Sequence, residues 1–341
     1  MLDFSSFLPL PIIWGVLIAT AVLMYVLLDG FDLGVGILFP FAPSDKCRNK
    51  MMNSIAPFWD SNETWLVLGA GGLFVAFPLA YSILLPAFYI PIITMLLGLI
   101  MRGVAFEFRF KASAQTKKLW DYVFHGGSLT AAFCQGLILG GFVSGVAVDG
   151  RNFAGRPFDW LTSFSMLTGL AMVAGYGLLG ATWLVLKTDK ETESWARRVA
   201  SYLLAFVGIS MALVSISMPV IHNRIAALWF SLPNLFLLSP IPILTALLFL
   251  LIWRDLHGKK PHSSRPFFSS MGVFFLGYVG LGISIFPYIV PYHYSFNDAA
   301  ASGRGLSLML IGVIPLLPII LAYTGFSYYI FRGKTHHGDS Y

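Results

Sequence analysis

"APFWDSNETWL", residues 56–66, runs straight into an unbroken apolar stretch from Leu66 to Leu79. Two acids, Asp60 and Glu63, stand at its threshold, and the reading of this junction decides the fold. Leu66 to Leu79 makes about 21 Å of helix at 1.5 Å per residue. That is short of the roughly 30 Å hydrocarbon core of a bilayer. A helix that crosses must reach back towards Pro57, which suits a first helical position, with Asn53 or Ser54 as nearby caps. Asp60, Asn62 and Glu63 then enter its first two turns, and Asp60 and Glu63, three apart, share a face. Either they complement the positive N-terminal end of the helix, or they are charges carried into the membrane for a task.

The remaining sequence sets this helix in an all-α polytopic membrane protein. The 341 residues are 57% hydrophobic and 11% charged, where soluble domains carry about 25% charge, and the mean hydropathy is +0.76. At about 20 apolar residues per span, roughly eight to ten spans fit. Apolar runs broken by Pro, Gly and charge clusters predict nine, at 9–39, 55–79, 83–108, 123–146, 161–186, 199–219, 231–253, 268–290 and 306–331. The first has an alternative end near Leu28, and a short turn near Pro78 to Ser82 joins the second to the third. None alternates in polarity as a barrel strand does. No segment reads as a soluble domain. The opening "MLDFSSFLPLP" has neither a basic n-region nor a small-x-small cleavage site, so it reads as a retained first helix.

The basic residues test the count. With nine spans, the odd loops, their adjoining span ends and the C-terminal tail collect all of the 22 Lys and Arg except Arg151, Arg156, Arg224 and Arg304. Losing one span from the middle would scramble that asymmetry. The positive-inside rule then puts the N-terminus outside and the C-terminus in the cytoplasm. The net charge of +6 is thus a topology signal, not a nucleic-acid footprint.

Other acids share the pattern of the quoted stretch. In "LLDGFDLGVG", Asp29 and Asp32 are again three apart, at the cytoplasmic end of the first span. A helix ending there would repel them through its negative C-terminal dipole. Gly30, Gly34 and Gly36 between and after them read as close-packing positions. "RGVAFEFRFK" closes the third span, with Glu107 and Lys111 at i,i+4 in the order that favours an ion pair and Arg102 more than a turn deeper. The bland reading is surface pairing at a helix end. Acids within spans are rare and point to function, and three clusters on the first three spans enter from one side.

Other chemistry is thinly represented. The seven histidines, His125, His222, His257, His262, His293, His336 and His337, all lie in loops, the tail or span ends, whereas a haem iron needs axial ligands such as His or Met. Lone Met on an apolar face is mostly packing. "GAGGLF" at 69–74 follows no strand and reads as helix packing, not a dinucleotide loop. Cys47 and Cys134 have no metal spacing and no reason to pair.

Taken together, "DGFDLGVG" at 29–36, "NSIAPFWDSNETWL" at 53–66 and "RGVAFEFR" at 102–109 closely resemble subunit II of the cytochrome bd-type quinol oxidases, in order, spacing and chain length. The "LLDGFDLG…FPF" segment resembles the cyanide-insensitive branch. The motifs cover the first third of the chain. The resemblance implies two four-helix bundles plus a peripheral ninth helix, paired with a haem-bearing subunit I that holds haems b and d and the quinol site. Small single-span subunits are further partners it suggests, and a structural quinone in this subunit is known in some members. It implies a complex in the bacterial inner membrane that oxidises quinol, reduces dioxygen to water and takes protons from the cytoplasm. The family's proton route matches Asp60, Glu107 and Lys111 here. The middle acid is often Asp, and Glu lengthens its reach by one methylene. Asp29, Asp32 and Glu63 are secondary candidates.

Two rival readings remain at this stage. A proton-coupled secondary transporter also places acids within spans, although four plus four plus one spans favour parallel repeats over inverted ones. A purely structural scaffold subunit is the other.

Overall fold

The computed structural model describes residues 8–113, 115–258 and 264–335. Among these, eight segments are long and apolar enough to cross a membrane. They are α1 (Leu10–Leu38, with a 3-10 extension to Phe41), α5 (Tyr89–Lys111), α6 (Lys117–Ser144), α7 (Ser163–Lys187), α8 (Lys190–Ile221), α10 with α11 (Asn234–Leu238 and Pro240–His257), α12 (Arg265–Ile285) and α14 (Gly303–Ile330). The quoted junction becomes α3 (Trp59–Ala76), 18 residues or about 27 Å long. Asp60, Asn62 and Glu63 in its first two turns keep it outside that apolar set.

Several expected boundaries move for local reasons. Helix α3 starts at Trp59 behind Phe58, so Pro57 is not its first residue. Asn53 and Ser54 are not its caps; they belong to α2 (Asp45–Ile55), whose own cap is Ser44, accepting from the Cys47 amide at 3.3 Å. At the far end, Pro78 disfavours helical geometry in the residue before it. Phe77 accordingly sits at φ −134°, ψ 64°, and α3 stops at Ala76. Residues expected to be a short turn and the start of the third span form a separate helix, α4 (Pro78–Ala87), and α5 begins only at Tyr89. Helix α1 does not end near Leu28 but runs to Leu38, so Asp29 and Asp32 lie within helix. Residues 288–290, expected at the end of a span, are strand β3 (Tyr288–Val290), paired with β4 (Tyr294–Ser295). Strands β1 (Val148–Asp149) and β2 (Asn152–Phe153) make a second hairpin. Residues 1–7, Lys259, Lys260, His262, His336 and His337 lie outside the described residues.

Close helix contact is built on small residues. A Cβ on Gly34 would lie 1.8 Å from the Tyr176 carbonyl oxygen, and one on Gly180 would lie 2.4 Å from the Gly34 backbone. Helices α1 and α7 therefore cross backbone to backbone, which only glycine permits at this separation. Helix α1 also packs on α3 and α6, while α7, α8, α11 and α12 contact one another in a ring and α14 touches α1 and α3. The inner core between them is rich in aromatic rings. Phe31 stacks on Trp183 at 4.2 Å, and Phe58 stacks on Tyr328 at 4.3 Å.

Polar contacts sort the loops into two ends. At one, Lys50 of α2 pairs with Asp189 between α7 and α8, and this hydrogen-bonded ammonium holds the Asp189 carboxyl below its usual range. Arg48 reaches Asp121 at the start of α6, and Lys334, beyond α14, reaches Glu193 of α8 at 3.1 Å. Arg265 of α12 pairs with Asp255 of α11. The segments predicted to share a basic side thus meet there. At the other end the Trp14 indole donates to the Leu306 carbonyl at 3.2 Å, Ala301 N–H donates to Ala76 O at 2.9 Å, and the Tyr292 hydroxyl donates to Val143 O at 2.9 Å.

Candidate functional site

A polar cluster occupies the core near the basic end, between α1, α3 and α5. Arg102 of α5 is fully buried. One nitrogen donates to Asp29 Oδ1 at 2.6 Å and another to the Glu63 carboxylate. Its guanidinium also lies 5.5 Å from the Trp59 ring centroid. Asp32, one turn beyond Asp29 on α1, takes no cation directly. Its Oδ2 accepts from Asn62 Nδ2 at 2.7 Å, and Asn62 Oδ1 accepts from the Tyr328 hydroxyl at 3.1 Å. Asp29 and Asp32 are wholly buried, whereas the Glu63 side chain is 28% exposed and opens the cluster to the surface.

A second chain of groups leads inward. The Tyr176 hydroxyl of α7 donates to Gln135 Oε1 at 2.7 Å, and Gln135 Nε2 of α6 donates to the Tyr25 hydroxyl at 2.7 Å. Tyr25 stands one turn before Asp29 on α1, whose carboxylate Arg102 of α5 holds. Four helices therefore fix the environment of one carboxylate. A single guanidinium faces three carboxyls here. Burying charge without pairing is costly, so the guanidinium is what lets the acids lie this deep.

The principal sequence candidates sit elsewhere. Asp60, in the first turn of α3, is exposed, as are Glu107 and Lys111 in the last turns of α5. Among the described residues no ion pair joins Glu107 to Lys111. The buried residue of that turn is Arg109. It donates to Asp121 and, at 3.0 Å, to Asn49 Oδ1, and lies 4.9 Å from the Phe39 ring centroid. Trp59 contacts Phe106 with ring centroids 5.2 Å apart. The start of α3 is thereby held against the end of α5, and Asp60 and Glu107 are the exposed residues that follow these two rings in sequence. The structure thus brings Asp29, Asp32 and Glu63 together around Arg102 and leaves Asp60, Glu107 and Lys111 on the adjoining surface.

Sequence reading placed Asn62 beside the acids without giving it a role, and passed over Tyr25, Gln135, Tyr176 and Tyr328. Gln135 had a signal, as an amide amid "AAFCQGLIL", since a side-chain amide within a span needs partners. Tyrosines at span depth carry no such mark.

The chain is similar to known proteins over nearly its whole length. The profile of the family described as cytochrome bd terminal oxidase subunit II matches residues 10–331. The chain is 30% identical to "Cytochrome bd ubiquinol oxidase subunit 2" of Bacillus subtilis (strain 168), over 96% of this chain and 97% of that one. It is 29% identical to "Cytochrome bd-I ubiquinol oxidase subunit 2" of Escherichia coli (strain K12), over 99% and 98%. In fold it is similar to a chain in the structure of bd oxidase from Geobacillus thermodenitrificans, with a TM-score of 0.74, 16% identity and coverage of 95% and 99%. With the matched region running from the first described helix to the last, this chain belongs to the cytochrome bd terminal oxidase subunit II family.

Proposed function

We propose that the chain is the haem-free second subunit of a quinol-oxidising, dioxygen-reducing complex of the bacterial inner membrane, and that it delivers protons from the cytoplasm. In this reading α3 is the second of nine spans, the N-terminus is outside, and two four-helix bundles are flanked by α14. The partner is a haem-bearing subunit I. Family membership favours this over a transporter.

The described residues do not fit a haem of this chain's own. His125 directs Nδ1 at the Gly36 carbonyl at 3.3 Å, and His222, His257 and His293 sit at helix ends or in loops. No group of three His, Cys, Asp or Glu among the described residues gathers to hold a metal. Haems b and d are therefore assigned to the partner, as are the quinol and dioxygen sites.

The observation that carries the proton reading is the Asp29–Arg102–Glu63 cluster with its exposed margin. Reducing dioxygen to water consumes protons. Lys111 and Glu107 gather them at the basic end, and Asp60 passes them along the α3–α5 edge. Glu63, held on the same guanidinium as Asp29, brings that edge next to the buried acids, with Arg102 positioning both carboxylates and carrying no proton itself. The exposed faces of α3 and α5, including Asp60, are where the partner would cover the chain.

The test is Asp60→Asn, which keeps the shape and removes the titratable proton. Quinol-driven oxygen uptake normalised to haem content should fall while assembly and haem content stay normal. Wild-type turnover in a well-assembled variant removes Asp60 as an essential relay.

A further inference from the structure

The basic end of α14 is held by a single buried ammonium. Lys187, the last residue of α7, is 4% exposed. Its Nζ donates to the Phe331 carbonyl and, at 3.0 Å, to the Gly333 carbonyl. The same ammonium lies 5.5 Å from the Phe58 ring centroid and 5.2 Å from that of Trp183. In return, Thr335 N–H donates to the Lys187 carbonyl at 2.8 Å. The last carbonyls of a helix lack intrahelical partners and carry partial negative charge. A buried cation is well suited to that end.

Lys334 beyond the helix also reaches Glu193, and the Phe331 ring lies edge-on to Phe58, but the helix itself buries little at this end. Its buried residues, Leu306, Ser307 and Leu310, all lie in its first turns at the opposite end. Towards the basic end, Tyr328 is the side chain it sends into the core, edge-on to Phe31 and stacked on Phe58. Lys187 and Tyr328 thus share Phe58. The Tyr328 hydroxyl donates to Asn62 Oδ1. That fixes the amide so that its N–H, and not its oxygen, faces Asp32. The amide nitrogen also donates to the Leu28 carbonyl at 3.4 Å, so loss of the Tyr328 donor removes the hold on the amide oxygen and loosens the amide.

We infer that Lys187 is a positioning residue for the buried acids. By clamping the end of α14 it holds Tyr328 on Asn62, and so orients the only donor that the structure supplies to Asp32 among the described residues. The inference rests on the reading that this cluster handles protons, and it adds to that reading a residue on α7 that touches none of the acids.

The test uses the complete membrane complex with Lys187→Met, Lys187→Arg, Tyr328→Phe and the Lys187→Met/Tyr328→Phe pair. Hydrogen–deuterium exchange over residues 325–335 reports the clamp without reference to turnover. Oxygen uptake per haem, measured against pH, reports the acids. Lys187→Met should speed exchange and displace the pH profile by about one unit, the scale of one lost hydrogen bond to a carboxylate. Tyr328→Phe should displace it equally, and the pair should add nothing further. Lys187→Arg should restore both readouts. A profile moved by Tyr328→Phe but not by Lys187→Met overturns the inference and leaves the proton reading standing. A profile unmoved by Tyr328→Phe overturns the proton role of this cluster and the inference with it. Unchanged exchange in Lys187→Met also overturns the inference, because the clamp is then not what holds α14.

Discussion

Arg102 on α5 donates to Asp29 on α1 at 2.6 Å, with both side chains wholly excluded from solvent. A lone buried charge is far more costly than a paired one, so the two helices are committed to each other at this point. Glu63, drawn in by the same guanidinium, commits α3 as well. The cluster is therefore structural and chemical at once, and its members should separate by which role dominates.

Arg102→Met should fail at assembly, because it strands Asp29 and Glu63 without their cation. Removing one partner of a buried pair costs about 3–5 kcal/mol. Recovery of haem-containing complex should collapse. Arg102→Lys keeps the charge but loses the fork that spans two carboxylates, and should assemble with a lowered melting temperature. Normal recovery of the Met variant would show that the cluster contributes little to stability.

Glycines at two places should answer differently to the same change. Gly34→Ala drives a methyl into the Tyr176 backbone, and forcing packed elements apart costs about 1–3 kcal/mol or more. It should also pull the Tyr176 end of the Gln135 chain away from Tyr25. A Cβ on Gly71 meets nothing within 4 Å. Gly71→Ala should leave the thermal stability of the chain itself unchanged. If α3 faces the partner, Gly71→Leu should instead reduce the subunit ratio on native gels. Equal thermal losses for Gly34→Ala and Gly71→Ala would contradict the assigned packing.

How much of this was legible beforehand depends on the kind of signal. Span positions follow from hydropathy, and the grouping of loops into two ends follows from basic residues, because both are sums over many side chains. Pro78 marked a break as a turn, yet a proline also starts a helix well, and α4 is what formed. Asp29 and Asp32 were singled out because charge is rare in apolar runs. Asn62, which donates to Asp32, and Tyr328, which donates to Asn62, are 266 residues apart, and no local pattern links them. The Glu107–Lys111 spacing suited an ion pair, but helical spacing only permits contact. Arg109, two residues along, turned inwards to Asp121 instead.

Acid should loosen the end away from the basic loops through His222. Its ring stacks on Tyr292 with centroids 4.4 Å apart. Burial pushes its pKa below the usual 6.5, opposed by a hydrogen bond with the Val143 carbonyl. The folded state therefore prefers the neutral ring. Its contribution is fully present above pH 6.5. As pH falls below that, the unfolded chain takes the proton first and stability drops, until the folded ring itself protonates. Melting temperatures of the purified complex measured through this window should decline, and His222→Gln should flatten the part due to this ring. An unchanged slope in the variant would assign the decline to other groups.

Glu107 offers the clearest separation of reach from charge. It is exposed on the last turns of α5, one residue beyond Phe106, whose ring meets Trp59 beside Asp60. Glu107→Gln keeps the length and hydrogen-bonding capacity and removes the titratable proton. If Glu107 hands protons to Asp60, oxygen uptake per haem should fall, though less than in Asp60→Asn, because water reaches an exposed site and can substitute. Glu107→Asp shortens the arm by one methylene and should be mild. Lys111→Met tests the entrance. The substitution removes a charge one turn from Glu107, and the field of that charge is screened by salt over roughly 10 Å at 0.1 M. Its loss should slow turnover most at low ionic strength. A Glu107→Gln enzyme with wild-type uptake at every pH would take this side chain out of the route and leave Asp60 to be supplied by water alone.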